Sequence, residues 1–278
     1  MRATTRKAIG FNAWFANNEY RNETSMSASK IVRLEATGPE GASLEPMAVN
    51  PEDYAAEVPE QSIYYYHNDE ELGLYVGVWT TTSMQEAFGP YPGDEFMHVV
   101  EGRVDMLDED GTATPVEEGQ SFFVRNGIPA SWLQKGDLRK FFLIYDNPKN
   151  PRPTDLPHAG GVMVPNPLQL RDEVTGDGGL KHCRIFTSDD GKCSFDFAAT
   201  SGAVSHDQTL SRYEFWQVVS GSVEISEADG TSQTFQTDQH FFALVGASGR
   251  FIKNIAVVVI ASEPVSSKLS RSFWRCLD

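Results

Sequence analysis

The chain has 278 residues, 40% hydrophobic and 22% charged, an ordinary globular composition with room for one large domain or two of usual size. Its 39 acidic residues outweigh 23 basic ones, a formal net charge of -16, and such a surface repels phosphate backbones and anionic lipid. No nucleic-acid partner is expected, and no membrane partner either, since the best apolar run, Ile255 to Ala261, is only strand-sized.

In chain order, the opening stretch MRATTRKAIGFNAWFANNEYRN carries early basic residues but no continuous apolar segment, so it does not read as a signal peptide. A cytoplasmic location is expected. Residues 1–50 form an extension whose apolar pieces, Ile9 to Phe15 and Ile31 to Leu34, are suited to packing on the rest of the chain. A short helix is expected near Pro51 to Ala56. Ser62 to His67 and Leu72 to Trp79 then form a hairpin around Asn68-Asp69-Glu70-Glu71. Met97 to Met106 is rich in Val with Gly102 inside, which predicts a strand, a bend and a second strand. Asp108 to Gly111 is a tight turn, Ser121 to Val124 a strand, Asn126-Gly127 another turn, and Lys140 to Tyr145 a closing strand.

Prolines at 148, 151, 153, 157 and 165 mark a linker over residues 149–180. His182 to Phe186 and Cys193 to Ala198 make the next hairpin, with Cys193 opposite Thr187 or Ser188. Val218 to Ile225, His240 to Leu244 and Ile255 to Ile260 follow, and residues 265–278 form a tail. Cys183, Cys193 and Cys276 are too few for a disulfide framework and read as free thiols. With His182 and His206, the first two match no familiar zinc spacing.

The chain repeats itself. EFMHVVEGRVDMLDEDGTATPVEEGQSFFVRNGIPASW from Glu95 aligns without gaps to EFWQVVSGSVEISEADGTSQTFQTDQHFFALVGASGRF from Glu214, and 13 of 38 positions are identical. The identities, such as Gly102/Gly221, Asp110-Gly111/Asp229-Gly230 and Phe122-Phe123/Phe241-Phe242, are turn formers and apolar strand positions. Two similar modules, 51–148 and 181–264, are therefore expected. Their many short strands imply a closed barrel or a two-sheet sandwich.

The run GVWTTTSMQEAFGPYPGDEFMHVVEGRVDMLDEDGTATPVEEGQSFFVRNGIPASW, followed by RKFFLIYDNP, resembles the cupin superfamily. Within it, the run is similar to the branch of ureidoglycine aminohydrolase-like and ethanolamine-utilisation-like proteins. The marks are Gly77-Val78-Trp79, Glu95, Gly102, Asp110-Gly111, Gly119, Gly127, Trp132 and Lys140. The resemblance implies an all-β chain of tandem double-stranded β-helix (jelly-roll) barrels, a bicupin. It also implies a small polar ligand, nitrogenous or carbonyl-bearing, inside the barrel.

Cupin metals are held by an H-x-H pair shortly before a glutamate and by a later histidine. Here Glu95 keeps the glutamate place, but Gly89 and Tyr91 stand at the two histidine places and Ala130 or Ser131 at the later one. The second module has Glu214 preceded by Gln208 and Leu210, with Gly249 or Arg250 later. Stable divalent sites need three or more deprotonated ligands, so no metal and no other cofactor is expected.

Strand alternation sends Glu95, Met97 and Val99 to one face and His98 to the other. A lone interior carboxylate is costly unless paired. Lys140 is the natural partner for Glu95, and Arg125 the second choice. Glu95 as general base, with Tyr91 or Lys140 as proton donor, makes a candidate catalytic set; an inert ion pair is the alternative. Trp79, Trp132, Arg125 and Met97 are candidate ligand-binding residues, with core packing as the other reading of the two tryptophans. In the second module Leu210, Leu244 and Phe251 stand where the first has Tyr91, Arg125 and Trp132, so that module is expected to be a structural partner. Three functions fit: a metal-independent binder or enzyme, an atypical metal enzyme, or a noncatalytic interaction protein. A homodimer is expected because exposed edge strands need cover.

Overall fold

The computed structural model describes residues 29–39, 42–150, 153, 156–166, 180–200, 204–227 and 229–262. The piece from Ile9 to Phe15, most of the linker, Cys276 and the tail lie outside them, as do the side chains of His182, His206, Phe251 and Lys253. No helix among the described residues is long and apolar enough to cross a membrane. The short helix expected after Pro51 is a single 3-10 turn, Pro51–Asp53, capped by the Asn50 side chain.

The N-terminal part supplies β1 (Ile31–Leu34) and β2 (Glu45–Pro46). The first module follows with β3 (Gln61–Asp69), β4 (Leu74–Thr81), β5 (Met84–Gln85), β6 (Gly89–Pro90), β7 (Asp94–Glu101) and β8 (Val104–Leu107). It is completed by β9 (Ala113–Val116), β10 (Ser121–Val124), β11 (Pro129–Gln134) and β12 (Leu138–Tyr145). Beyond β13 (Val162–Met163) come β14 (Leu180–Thr187), β15 (Cys193–Thr200), β16 (Val204–Thr209) and β17 (Tyr213–Glu227). The last three are β18 (Ser232–Gln236), β19 (His240–Ala243) and β20 (Ser248–Ser262). The hairpin β14–β15 turns so that Cys193 accepts from the Ser188 amide, and Cys183 and Cys193 are free thiols.

The chain is all-β with cupin-like strand topology, but the expected closed barrels are not formed. Among the described residues no sheet closes on itself. The first module is two facing sheets, one of seven strands in the order β13-β10-β7-β12-β4-β3-β2 and one of five built on β5-β11-β8-β9. The second is a single eight-stranded sheet along β1-β19-β17-β20-β15-β14, with β16 and β18 as branches. Closure needs the outermost strands to pair with each other. In the first module the chain crosses between sheets through left-handed glycines, Gly93 (φ 82) between β6 and β7 and Gly102 (φ 90) between β7 and β8. In the second, β17 and β20 run 15 residues each straight through that corner, with a bulge between Val218 and Ser220, so both halves merge into one bent sheet.

The seven-stranded sheet is buried on both faces, so β7 is buried almost throughout even at Asp94, Glu95 and His98. Met97, Val99, Phe122, Phe142 and Ile144 face the five-stranded sheet. Phe96, Val76, Val78, Phe123, Phe141 and Leu143 pack instead against Phe195, Phe197, Phe215 and Phe242 of the second module. Phe96 and Phe215, equivalent positions of the repeat, touch with ring centroids 5.4 Å apart. Contact between equivalent residues is the mark of a twofold arrangement. The turn after β14 fastens the modules further: Asp190 accepts from Tyr145 Oη at 2.6 Å and from the Asn147 and Asn150 amides, both at 2.9 Å.

Edge cover is exchanged within the chain. β1, which precedes the first module, pairs with β19 of the second. β13, which precedes the second, pairs with β10 of the first. Each arm thus shields a hydrogen-bonding edge of the other module.

Candidate functional site

Between the two sheets of the first module lies a pocket lined by Ile63, Tyr65, Trp79, Met84, Glu86, Tyr91, Glu95, Trp132, Lys140, Phe142 and Ile144. Its free space is about 410 Å³ counting the part that opens to solvent. Glu95 enters it from β7, where Val124 of β10 and Ile144 of β12 flank it in register. Lys140 enters from β12, between Trp79 of β4 and Val99 of β7. Period-two alternation on adjacent antiparallel strands therefore aims both charges inward.

The two side chains form a buried ion pair, Nζ to Oε1 2.8 Å, with 8% and 2% of their surfaces exposed. Tyr91 donates to the other carboxylate oxygen at 2.5 Å. Burial and the Glu95 charge push the Tyr91 phenol well above its ordinary value, so it remains a donor. Tyr91 reaches Glu95 although β6 ends at Pro90 and Gly93 takes a left-handed conformation between them. Its backbone is clamped on both sides, its amide donating to Ile128 and its carbonyl accepting from Gly127, each at 2.7 Å. The Lys140 ammonium also lies 3.0 Å from Met97 Sδ, and 4.8 and 4.7 Å from the Trp79 and Trp132 ring centroids. Those rings meet edge to face, and Trp132 Nε1 donates to Gln134 at 2.8 Å.

Of the residues expected at the site, Glu95, Lys140, Tyr91, Trp79 and Trp132 line one pocket, and Met97 touches two of them just beneath it. Arg125 is not brought there. It stands one residue past β10, where the strand has ended, and its guanidinium pairs with Asp189 of the second module at 2.7 Å.

Sequence reasoning missed Glu86. The short strand β5 sends Met84 inward and Gln85 outward, and the same alternation continued by one residue puts Glu86 in the pocket wall. The pattern Met-Gln-Glu was the available signal. Burial, partly offset by Lys140 and reinforced by Glu95 and Asp53, pushes the Glu86 carboxyl up to about 7.

These donors do not fit the metal that cupin relatives hold. Both Glu95 oxygens are engaged, Tyr91 keeps its proton, and the Lys140 ammonium occupies the place beside Glu95 where a cation would sit. Among the described residues no three histidine, cysteine or acidic side chains gather in a way that could hold an ion.

The second module places other groups at the equivalent positions. Glu214 is 3.0 Å from Trp216 Nε1 and 3.5 Å from Arg212, while Leu210 and Ala198 join an apolar cluster with Phe235 and Phe241. Arg250 points outward beside Asp207 and Ser205.

A family model of the EutQ-like cupin domain matches residues 73–142, the stretch that carries Trp79, Glu86, Tyr91, Glu95, Trp132 and Lys140. A solved structure from Pseudomonas syringae pv. tomato str. DC3000, a protein of unknown function in the DUF861 family, superposes with a TM-score of 0.60. The match covers 83% of this chain and 98% of that one at 14% identity. The chain has the cupin-superfamily fold. Another solved structure, the cupin 2 conserved barrel domain protein from Leptotrichia buccalis, superposes with a TM-score of 0.54 over 76% of this chain and all 100% of that one, at 8% identity. At such identities the likeness to these structures is one of fold alone. No curated protein matches the sequence.

Proposed function

We propose that this protein binds a small polar molecule in the pocket of its first module, without a resident transition metal. The observation that carries this reading is the combination of an open, aromatic-walled pocket with a buried Glu95–Lys140 pair at its floor. A site built to hold charge in a dry place orients a ligand amide, amine or hydroxyl through charge-assisted bonds. The second module, joined to the first through its sheet face, acts as a structural partner. The finer likeness to ureidoglycine aminohydrolase-like and ethanolamine-utilisation-like proteins agrees with a small nitrogenous or carbonyl ligand, and binding, rather than turnover, is what the geometry supports.

The test is ligand-observed NMR with methylammonium, acetamide and acetate on the parent chain, Glu95→Gln and Glu214→Gln at matched folded fraction. Binding of at least one probe to the parent and to Glu214→Gln, with loss in Glu95→Gln, supports the proposal. Equal behaviour of Glu95→Gln and the parent, or no binding at all, refutes it.

A further inference from the structure

We propose that Glu86 is the specificity-determining acceptor of this pocket and that it selects ligands carrying a compact cationic nitrogen, a primary ammonium or an amidinium; the inference rests on the pocket being the ligand site. Three independent observations carry it.

The first is pairing. Every other charged group in the pocket wall has a protein partner: Lys140 and Glu95 have each other, and Tyr91 holds the second Glu95 oxygen. The Glu86 carboxylate makes no hydrogen bond among the described residues, and only through-space interactions act on it. It retains part of its surface open to the cavity. A carboxylate in that position leaves its acceptor capacity to whatever enters the pocket.

The second is rigidity. The Glu86 backbone is clamped at both polar atoms, its amide donating to the Trp132 carbonyl at 2.8 Å and its carbonyl accepting from Ser131 Oγ at 2.6 Å. A bridge to Tyr54 and the Ala87 amide bonded to the Asp53 carbonyl at 2.8 Å hold the flanks. Such locking by surrounding bonds is what a binding group needs in order to discriminate.

The third is charge. With Glu86 ionised, two carboxylates face one ammonium, so the pocket carries one uncompensated negative charge. A monocation neutralises it, whereas an anion meets repulsion in a part-buried site. The chain's net charge of -16 favours the approach of cations as well. Lys140 does not supply the missing charge, because Glu95 and the two indole faces already hold it.

The groups facing Glu86 are Lys140 from β12, Glu95 from β7, Asp53 from the 3-10 turn, and the phenols Tyr54 and Tyr91. Both phenols stay protonated at neutral pH, and the Glu86 carboxyl is pushed up to about 7. Cation binding therefore strengthens as pH rises through that value and Glu86 ionises.

The experiment measures methylammonium and acetamide binding by NMR to the full chain, Glu86→Gln, Glu86→Asp and Glu95→Gln, with folding of each checked by circular dichroism. The expected result is a loss of methylammonium affinity of about tenfold or more in Glu86→Gln at about pH 8, with acetamide little changed and Glu86→Asp intermediate. The parent should lose methylammonium between about pH 8 and pH 6, and Glu86→Gln should show no such step. Methylammonium bound equally by Glu86→Gln and the parent, but lost in Glu95→Gln, overturns the role of Glu86 and leaves the pocket standing. Absence of binding by any probe to the parent overturns both.

Discussion

His98 and Gln217 stand 119 residues apart, the repeat interval, and meet side by side at the module interface, Gln217 Nε2 lying 3.0 Å from His98 Nδ1. Ser121 Oγ donates to Gln217 at 2.7 Å, and the rings of His98 and His240 are 4.7 Å apart. Burial lowers His98 to about 4, so in the folded chain its ring is neutral, with Nδ1 also 2.9 Å from Ser121 Oγ.

An acid response follows from this. A histidine near 6.5 when unfolded and about 4 when folded takes up protons preferentially in the unfolded chain as pH falls between those values, so its contribution to stability is lost there. Asp94 and Glu86, both pushed up to about 7, act in the opposite sense over an overlapping window. The effect of His98 is therefore read as a difference. The stability advantage of the parent over His98→Gln, measured by urea unfolding, should shrink by about 2 kcal/mol between pH 6.5 and about pH 5. Parallel pH profiles for the two proteins would contradict it.

The Glu95–Lys140 pair makes a second prediction. Lys140→Met leaves a carboxylate almost fully buried beside a phenol alone, which costs about 3–5 kcal/mol. Adding Glu95→Gln removes the stranded charge and should recover most of that loss. Chemical unfolding of the single and double variants checks it, and a double variant no more stable than Lys140→Met would show that the pair is not what holds this region.

The repeat itself predicts a stabilising change. Asp238 stands where the first module has Gly119, and both backbones are left-handed, at φ 65 and φ 78. Asp238 is exposed, so Asp238→Gly removes the steric cost of that conformation with little lost elsewhere. A gain of about 0.5–1 kcal/mol is expected in thermal or chemical unfolding, and a loss would mean the aspartate side chain holds the turn.

Much of the site was legible because it depends on local rules. Alternation from Glu95 fixed which side chains share a face, and the cost of a lone buried carboxylate pointed to Lys140. Tyr91 was in phase despite Pro92 and Gly93 because its neighbours, Gly127 and Ile128, clamp it. Arg125 misled because, as second choice to pair with Glu95, it stands one residue beyond the end of β10, where its guanidinium meets Asp189 of the second module instead. Glu86 was missed, despite the pattern Met-Gln-Glu, because β5 is two residues long and pairs only with β11. The open sheets were illegible for a related reason: whether edge strands join is decided by distant pairings, such as β1 with β19, that no local pattern encodes. His98 was assigned to the outer face, but only the second module's Gln217 and His240 explain why that face is buried.

The central claim, that the first module holds the ligand pocket and the second does not, is tested most directly by fluorine NMR on the full chain labelled with 5-fluorotryptophan. Trp79 and Trp132 line the pocket, whereas Trp216 lies in the second module bonded to Glu214. Titration with methylammonium, acetamide and acetate should shift the Trp79 and Trp132 resonances and leave Trp216 in place. A shift confined to Trp216, or none at any tryptophan, would contradict it.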